Sequence, residues 1–421
     1  FAENAQVKTY RWQQVRDRLN KKEAVVEIIR SLKTTGYDSL GRNLQDTVYI
    51  ALFVTPKTRK HPEMLVLENG NELETTYLNY YRKTVEYQLE DRNSYDQYWK
   101  PIADKLRSLN DEGFDKIYFS PDGVYHQINL NSLRNPETNK FLLETHNIQL
   151  IGSSRDLIEL GTSEKDLSQN FENYRTYLIG YPDYNPEGED EESEGEDRGI
   201  SPLQRIIRKD GAVAILPGTK AEVEAINGHF KQKGIKARIF LESQADEENL
   251  KNIESPNVLH VATHGFFVPP VKNSEVSNMQ EASSRRLLEN PLMRSGLLLA
   301  GCQTPNPKGE DGVFTAEEAM NLSLEQTELV VLSACETGLG DIRHGEGVFG
   351  LQRAFQQAGA KTVLMSLWKV SDEATQILMS EFYKNLLSGE SKRNAFKSAQ
   401  LSLKAKFSEP YYWGAFVMVG E

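Results

Sequence analysis

From Val213 to Val419 the chain alternates between short apolar runs of strand character and longer amphipathic stretches. The runs include Ala237–Leu241, Asn257–Ala262, Gly296–Leu299, Glu328–Leu332, Thr362–Leu367 and Ala415–Val419. Between them, helical patterning covers Lys220–Gly234, Asp246–Ile253, Val348–Ala358, Asp372–Leu387 and Lys392–Ala405. Such alternation predicts a mostly parallel sheet with helices on both faces. Val213–Leu216 reads as one more strand of the series.

The N-terminal part is mixed. Tyr10–Leu19 reads as a helix, and Ala24–Arg30, Thr47–Val54 and Glu63–Leu67 as strands rich in β-branched residues. Leu73–Leu109 reads as helical, and Lys116–Ser120 as a buried strand closed by the turn Pro121-Asp122-Gly123. Two units are expected, residues 1–165 and residues 166–421, the second carrying a mobile acidic loop at about 185–200.

Charge narrows the function. The net charge is −12, but eight acids fall within Glu187–Asp197, which holds no base. The acidity is mostly one tract, and no dense Lys/Arg stripe suggests a nucleic-acid groove. No run approaches the roughly 18–20 apolar residues needed to cross a bilayer. Two cysteines, Cys302 and Cys335, form no disulfide framework and fit a reducing cytoplasm. The opening residues lack the apolar core of a signal peptide, and Phe1 suggests a fragment or processed product.

Two segments can carry chemistry. Val258-Leu-His-Val-Ala-Thr-His264-Gly and Leu329-Val-Val-Leu-Ser-Ala-Cys335-Glu-Thr-Gly are each an apolar strand leading to a reactive residue. In open α/β sheets, sites gather outside the carboxyl ends of strands. Neighbouring strands would set the His264 imidazole against the Cys335 thiol. An imidazole can take the thiol proton and later return it to a leaving amine. The amides of Gly265 and Cys335 are candidates for an oxyanion hole. The bland reading is that a cysteine ending a strand is a buried small hydrophobe, which is the preferred one for Cys302. His260 and His264 have metal-like spacing only on a helix, and the run is β-type, so neither metal nor cofactor is expected. Gly345-Glu-Gly347-Val-Phe-Gly350 matches a dinucleotide fingerprint but does not directly follow a strand. Asp372 reads either as a helix N-cap or as an acid in a pocket for a basic side chain, and the residues alone favour the cap.

Several of these stretches together resemble the CHAT family, relatives of caspases and separase. They are His260-Val-Ala-Thr-His264-Gly, Leu332-Ser-Ala-Cys335-Glu-Thr-Gly, Gly345–Phe355, Gly359–Asp372 and Tyr411–Gly420, with Ser120-Pro-Asp-Gly123, Leu178–Asp183 and Leu216-Pro-Gly-Thr219 upstream. The resemblance implies a caspase-like three-layer α/β sandwich preceded by a related inactive subdomain. It implies a cysteine endopeptidase in which His264 and Cys335 form the dyad. In separase-like relatives a Trp-Asp-Val-Thr-Asp stretch reads an arginine before the scissile bond. Here it is Trp368-Lys369-Val370-Ser371-Asp372, which keeps the second acid and makes Asp372 the pocket residue. Such proteases can follow a tetratricopeptide array and can be partner-activated in bacterial defence, cleaving a gasdermin or another protein. The alternative is a scaffold or switch that binds protein partners without cleaving. Arg198, Arg285 and Arg286 lie in or beside insertion-like segments and are candidate self-cleavage positions.

Overall fold

The computed structural model describes residues 9–159, 174–186, 203–204, 213–268, 290–304, 309–334, 341–343, 347–369 and 371–420, with backbone alone at 341–343 and 347–349. Sixteen strands appear among them. In the N-terminal part these are β1 (Glu23–Tyr37), β2 (Asn43–Val54), β3 (Glu63–Leu67), β4 (Lys116–Ser120) and β5 (Ile148–Leu150). Next come β6 (Thr176–Pro182), β7 (Ala237–Glu242), β8 (Val258–Ala262), β9 (His264–Phe267), β10 (Ser295–Leu298) and β11 (Val313–Thr315). The series ends with β12 (Leu329–Ser333), β13 (Asp341–Arg343), β14 (Gly347–Phe349), β15 (Thr362–Ser366) and β16 (Phe416–Gly420).

Eleven strands form one sheet in the order β3-β2-β1-β4-β5-β16-β15-β12-β8-β6-β7. Neighbours run parallel except at β3–β2, β2–β1 and β16–β15. The two halves meet where β5 lies beside β16, through the single pairing Val419↔Leu150.

Why the central strands read as unbroken apolar runs is clear from their side chains. Val331 and Leu364 point to one face and pack with Val223, Phe230, Leu378, Phe382 and Phe396. Their neighbours Val330 and Val363 point to the other, against Leu250, Leu351 and Phe355. Strand side chains alternate, so a strand covered on both faces has no polar side to show. Helices Pro217–Gln232, Asp372–Leu387 and Lys392–Lys406 cover the first face, and Glu247–Lys251 and Leu351–Gln357 the second. The expected three-layer arrangement on a mostly parallel sheet is therefore what the chain adopts. In the N-terminal half, Val26 and Ile28 pack with Tyr98, Trp99 and Ile102, while Val25 turns to Val15 and Leu157.

Three expectations need correction. Val213–Leu216 is not a strand; it runs as irregular backbone into helix Pro217–Gln232. Gly296–Leu299 lies in a separate antiparallel sheet, β11-β10-β9, and not in the main one. Leu73–Leu109 is two helical segments, 70–86 and 95–109. Gln88 takes φ 53° and the Leu89 amide bonds back to the Thr84 carbonyl, a left-handed helix stop. The Asp91 carboxylate then accepts from the amides of Asn93 and Ser94 and starts the second segment. The expected boundary near residue 165 and the acidic tract Glu187–Asp197 lie outside the described residues.

Candidate active site

Strands β8 and β12 are parallel neighbours in register, with Leu332 opposite Val261 and Ser333 opposite Ala262. The Thr263 amide still bonds to the Ser333 carbonyl, at 3.3 Å, as both chains leave the sheet. His264 follows Thr263, and Ala334 is the last described residue before position 335. Cys335 itself lies outside the described residues. Ser366 on β15 donates to the Ala334 carbonyl at 2.5 Å, tying down the backbone that leads to the cysteine.

His264 begins β9, which pairs with β10 through His264↔Leu298 and Gly265↔Leu297. Its Nε2 stands 2.8 Å from the Ala214 carbonyl oxygen. A carbonyl only accepts, so Nε2 carries the proton and Nδ1 is the basic atom of the neutral ring. The ring leans on Tyr184, centroid to centroid 5.6 Å, and the Tyr184 hydroxyl sits 3.0 Å from Thr263 Oγ1. Burial lowers the imidazole's basicity. The Ala214 bond opposes that shift, the Lys369 charge adds to it and the Asp372 charge opposes it.

Beside these strand ends a pocket opens, lined among others by Glu222, Thr263, Ala334, Ser366, Trp368 and Asp372. Two carboxylates thus face a cleft bounded by the residues that precede His264 and Cys335. Asp372 is not the N-cap. Ser371 is, its hydroxyl accepting from the Ala374 amide, so the Asp372 side chain is left exposed in the first turn. Lys369, where the related stretch has an acid, is exposed as well.

Sequence reasoning missed Ala214 and Glu222. A backbone carbonyl leaves no mark in the residue type. Glu222 did leave one: with Thr219, Val223, Ile226 and Phe230 it occupies the buried stripe of its helix. It is 2% exposed, with Oε1 2.9 Å from His260 Nε2. His260 Nδ1 in turn lies 3.2 Å from the Tyr383 hydroxyl, whose ionisation burial makes harder. The imidazoles of His260 and His264 therefore serve different partners and are not brought together as metal ligands. One acidic group among the described residues has metal-like spacing, Glu247 with Glu310 and Glu318, and the Lys251 ammonium sits 2.7–2.9 Å from all three. Cys302 is fully buried. Of the candidate self-cleavage sites, Arg198, Arg285 and Arg286 lie outside the described residues. The insertion-like stretch that holds Arg285 and Arg286 begins and ends side by side, the Val268 amide donating to the Arg294 carbonyl at 2.7 Å. No described helix is long and apolar enough to cross a membrane.

Comparison with known proteins places these features in a family. Human tetratricopeptide repeat protein 28 is 33% identical over 116 residues, 27% of this chain and 5% of that protein. Its mouse counterpart is 38% identical over 112 residues, 26% of this chain and 4% of that protein. The chain thus spans only about a twentieth of the curated relatives it matches. Among solved structures, the Arg-specific cysteine proteinase gingipain R, known from Porphyromonas gingivalis, aligns over 84% of this chain and 74% of its own at 9% identity, TM-score 0.42. The Saccharomyces cerevisiae separase–securin complex aligns over 97% of this chain and 30% of its own at 10% identity, TM-score 0.43. The profile of the CHAT domain matches residues 92–421, well over half of the sequence, and the chain belongs to the CHAT-domain family.

Proposed function

We propose that the chain is a cysteine endopeptidase in which Cys335 is the nucleophile and His264 its acid–base partner. One observation carries this reading. The His264 imidazole, held by the Ala214 carbonyl, leaves β8 beside the strand that leads into Cys335, next to a pocket bearing Glu222 and Asp372. In that arrangement Nδ1 takes the thiol proton, and the sulfur attacks the peptide carbonyl carbon. The carbonyl π pair moves to oxygen, where the amides of Gly265 and Cys335 receive it. When the C–N bond breaks, Nδ1–H protonates the departing amine and a thioester remains. Water, deprotonated by the same nitrogen, attacks the thioester; the acid leaves, and the thiol regains its proton.

The acidic lining favours a basic residue before the scissile bond, Asp372 being the accessible partner and Glu222 the buried one. We further assign residues 1–165 to a related, non-catalytic unit and residues 166–421 to the catalytic one. A cytoplasmic setting, an upstream tetratricopeptide region, activation by a protein partner and a gasdermin-like substrate in bacterial defence complete the proposal.

Proteomic cleavage-site profiling of wild type beside Cys335→Ala and His264→Ala tests it. Cuts after Arg or Lys in wild type alone support the dyad and the pocket. Cleavage by Cys335→Ala at the wild-type rate sinks the assignment. A wild type silent with every candidate partner points to a binding module instead.

A further inference from the structure

A second cleft, of about 330 Å³, opens where the helical segment 70–86 meets the short helix Pro410–Trp413. It shares no lining residue with the pocket beside His264. Its volume falls within the range of small-molecule sites. Both halves of the chain build it: Tyr81, Leu89 and Phe141 come from the first, Glu409 and Tyr411 from the second. The Tyr81 hydroxyl is already engaged, 2.9 Å from Ser132 Oγ and accepting from the Asn129 amide at 3.1 Å, so its ring serves as wall.

The charges lining this cleft do not cancel. Glu90 is paired with Arg92 at 2.6 Å and, more loosely, with Arg134 at 3.4 Å. The Asp91 carboxylate accepts from the backbone amides of Asn93 and Ser94, and the Glu409 carboxylate from the Ser408 hydroxyl at 2.6 Å. Neither has a cationic partner among the described residues. Arg134 Nε is buried and has no acceptor among them. Leu89 stays 59% exposed on the wall. Two carboxylates without a cation call for a positive group, and a guanidinium with a spare donor calls for a carbonyl oxygen. An exposed leucine beside Val85 and Tyr411 calls for an apolar group. The amino-terminal residue of a peptide carries all three, as ammonium, carbonyl and side chain.

Two walls of the cleft bear on the active-site pocket through Trp368. The Tyr81 ring meets the Trp368 ring edge-on, centroids 6.3 Å apart at 75°. Trp368 Nε1 donates to the Tyr411 carbonyl at 3.1 Å. Packing there is close: a Cβ on Gly414 would stand 3.2 Å from Ser132 Cβ, which lines the cleft, and 3.5 Å from the Trp368 ring. Trp368 itself lines the pocket that Thr263 and Asp372 share.

We propose that this cleft binds an α-amino amide, the chemistry shared by a free amino-acid amide and the amino terminus of a peptide, and that Trp368 carries its occupancy to the active-site pocket. Asp91 and Glu409 take the ammonium, Arg134 takes the carbonyl oxygen, and Val85, Leu89 and Tyr411 take the side chain. The site stands whether or not Cys335 is a nucleophile; only the catalytic meaning of the coupling rests on that reading.

Calorimetric titration of the full chain with leucinamide, N-acetylleucinamide and the peptide Leu-Ala-Ala-amide tests this. Leucinamide is expected to bind with a Kd of about 1 mM or tighter. Acetylation removes its charge and should weaken binding about tenfold or more, the worth of a hydrogen bond to a charged group. Asp91→Asn with Glu409→Gln should bring the same loss, and Asp372→Ala none. The ligand comparison uses the unaltered protein, so it decides even where a variant fails to fold. Tighter binding of the peptide assigns the site to a peptide terminus and tighter binding of leucinamide to a free amide; either supports it. No heat of binding, equal binding of the acetylated ligand, or loss of binding in Asp372→Ala overturns it. Saturating leucinamide should also slow hydrogen exchange in peptides covering 366–369 about fivefold, the lower range of coupling between sites. Trp368→Phe, which keeps a ring against Tyr81 but has no donor for the Tyr411 carbonyl, should bind leucinamide without that slowing. Binding to wild type that leaves 366–369 unchanged overturns the coupling. An active Cys335→Ala would refute the dyad while leaving the titrations standing, so the two readings fail separately.

Discussion

Gly218 lies against Asp372 so closely that a Cβ on the glycine would stand 2.5 Å from the aspartate Cβ. The start of one helix thereby fixes the first turn of another, and the carboxylate at the pocket mouth depends on a residue with no side chain. Gly218→Ala should displace Asp372 and cut cleavage after basic residues by about tenfold or more, since displacements near 1 Å are enough for such losses. Alkylation of Cys335 should be nearly unchanged. Equal losses in both assays would place the effect on the dyad and not on the pocket.

Lys369 and Asp372 pull the His264 imidazole in opposite directions. Its basicity is lowered overall, so the ring is neutral at pH 7 and the acid limb of cleavage lies below the ordinary histidine value of 6.5. The sign for stability follows. The unfolded chain binds the proton more readily, so this group's contribution is present above pH 6.5 and is lost as pH falls through the window beneath it. Lys369→Asp should move the acid limb of the rate profile upward. It should also raise kcat/KM for an arginine substrate about two- to fivefold, the range of an exposed ion pair. A profile that stays in place would show that Lys369 does not reach the imidazole.

Glu222 and His260 form a buried contact under the pocket. Glu222→Ala leaves the His260 ring without its carboxylate partner and should cost about 1–3 kcal/mol in urea denaturation. Glu222→Gln should cost less. Both should weaken cleavage after Arg; a loss confined to stability would make Glu222 a prop for the floor alone.

Leu364 is fully buried between β15 and the helices above it, whereas Leu40 is 75% exposed at the tip of the β1–β2 hairpin. Leu364→Ala should cost about 2–5 kcal/mol and Leu40→Ala almost nothing. Similar denaturation midpoints for the two variants would contradict the layered core.

How much of this was legible in the residues differs from place to place. Leu329-Val-Val-Leu and Val258-Leu-His-Val announced themselves because a strand buried on both faces must be apolar throughout. The same rule misled at Val213–Leu216, an apolar run whose use is a carbonyl for His264. It also misled at Gly296–Leu299, where β-propensity does not say which sheet a strand joins. At Asp372 the residue type fits a cap, but Ser371 reaches the Ala374 amide first. Register and backbone acceptors are properties of the assembled sheet, and single residues carry little trace of them. Cys335, the proposed nucleophile, follows Ala334 in sequence and lies outside the described residues.

The position of β16 has a consequence for how the molecule is made. Phe416–Gly420 comes last among the strands, yet it lies in the middle of the sheet, between β5 and β15. During synthesis the N-terminal half and the half bearing His264 therefore have no common strand until these residues have left the ribosome. Long-range closure of this kind comes late in folding. Until β16 is in place the two halves cannot share one sheet, so the strands beside His264 gain their link to the N-terminal strands only at a late step of folding.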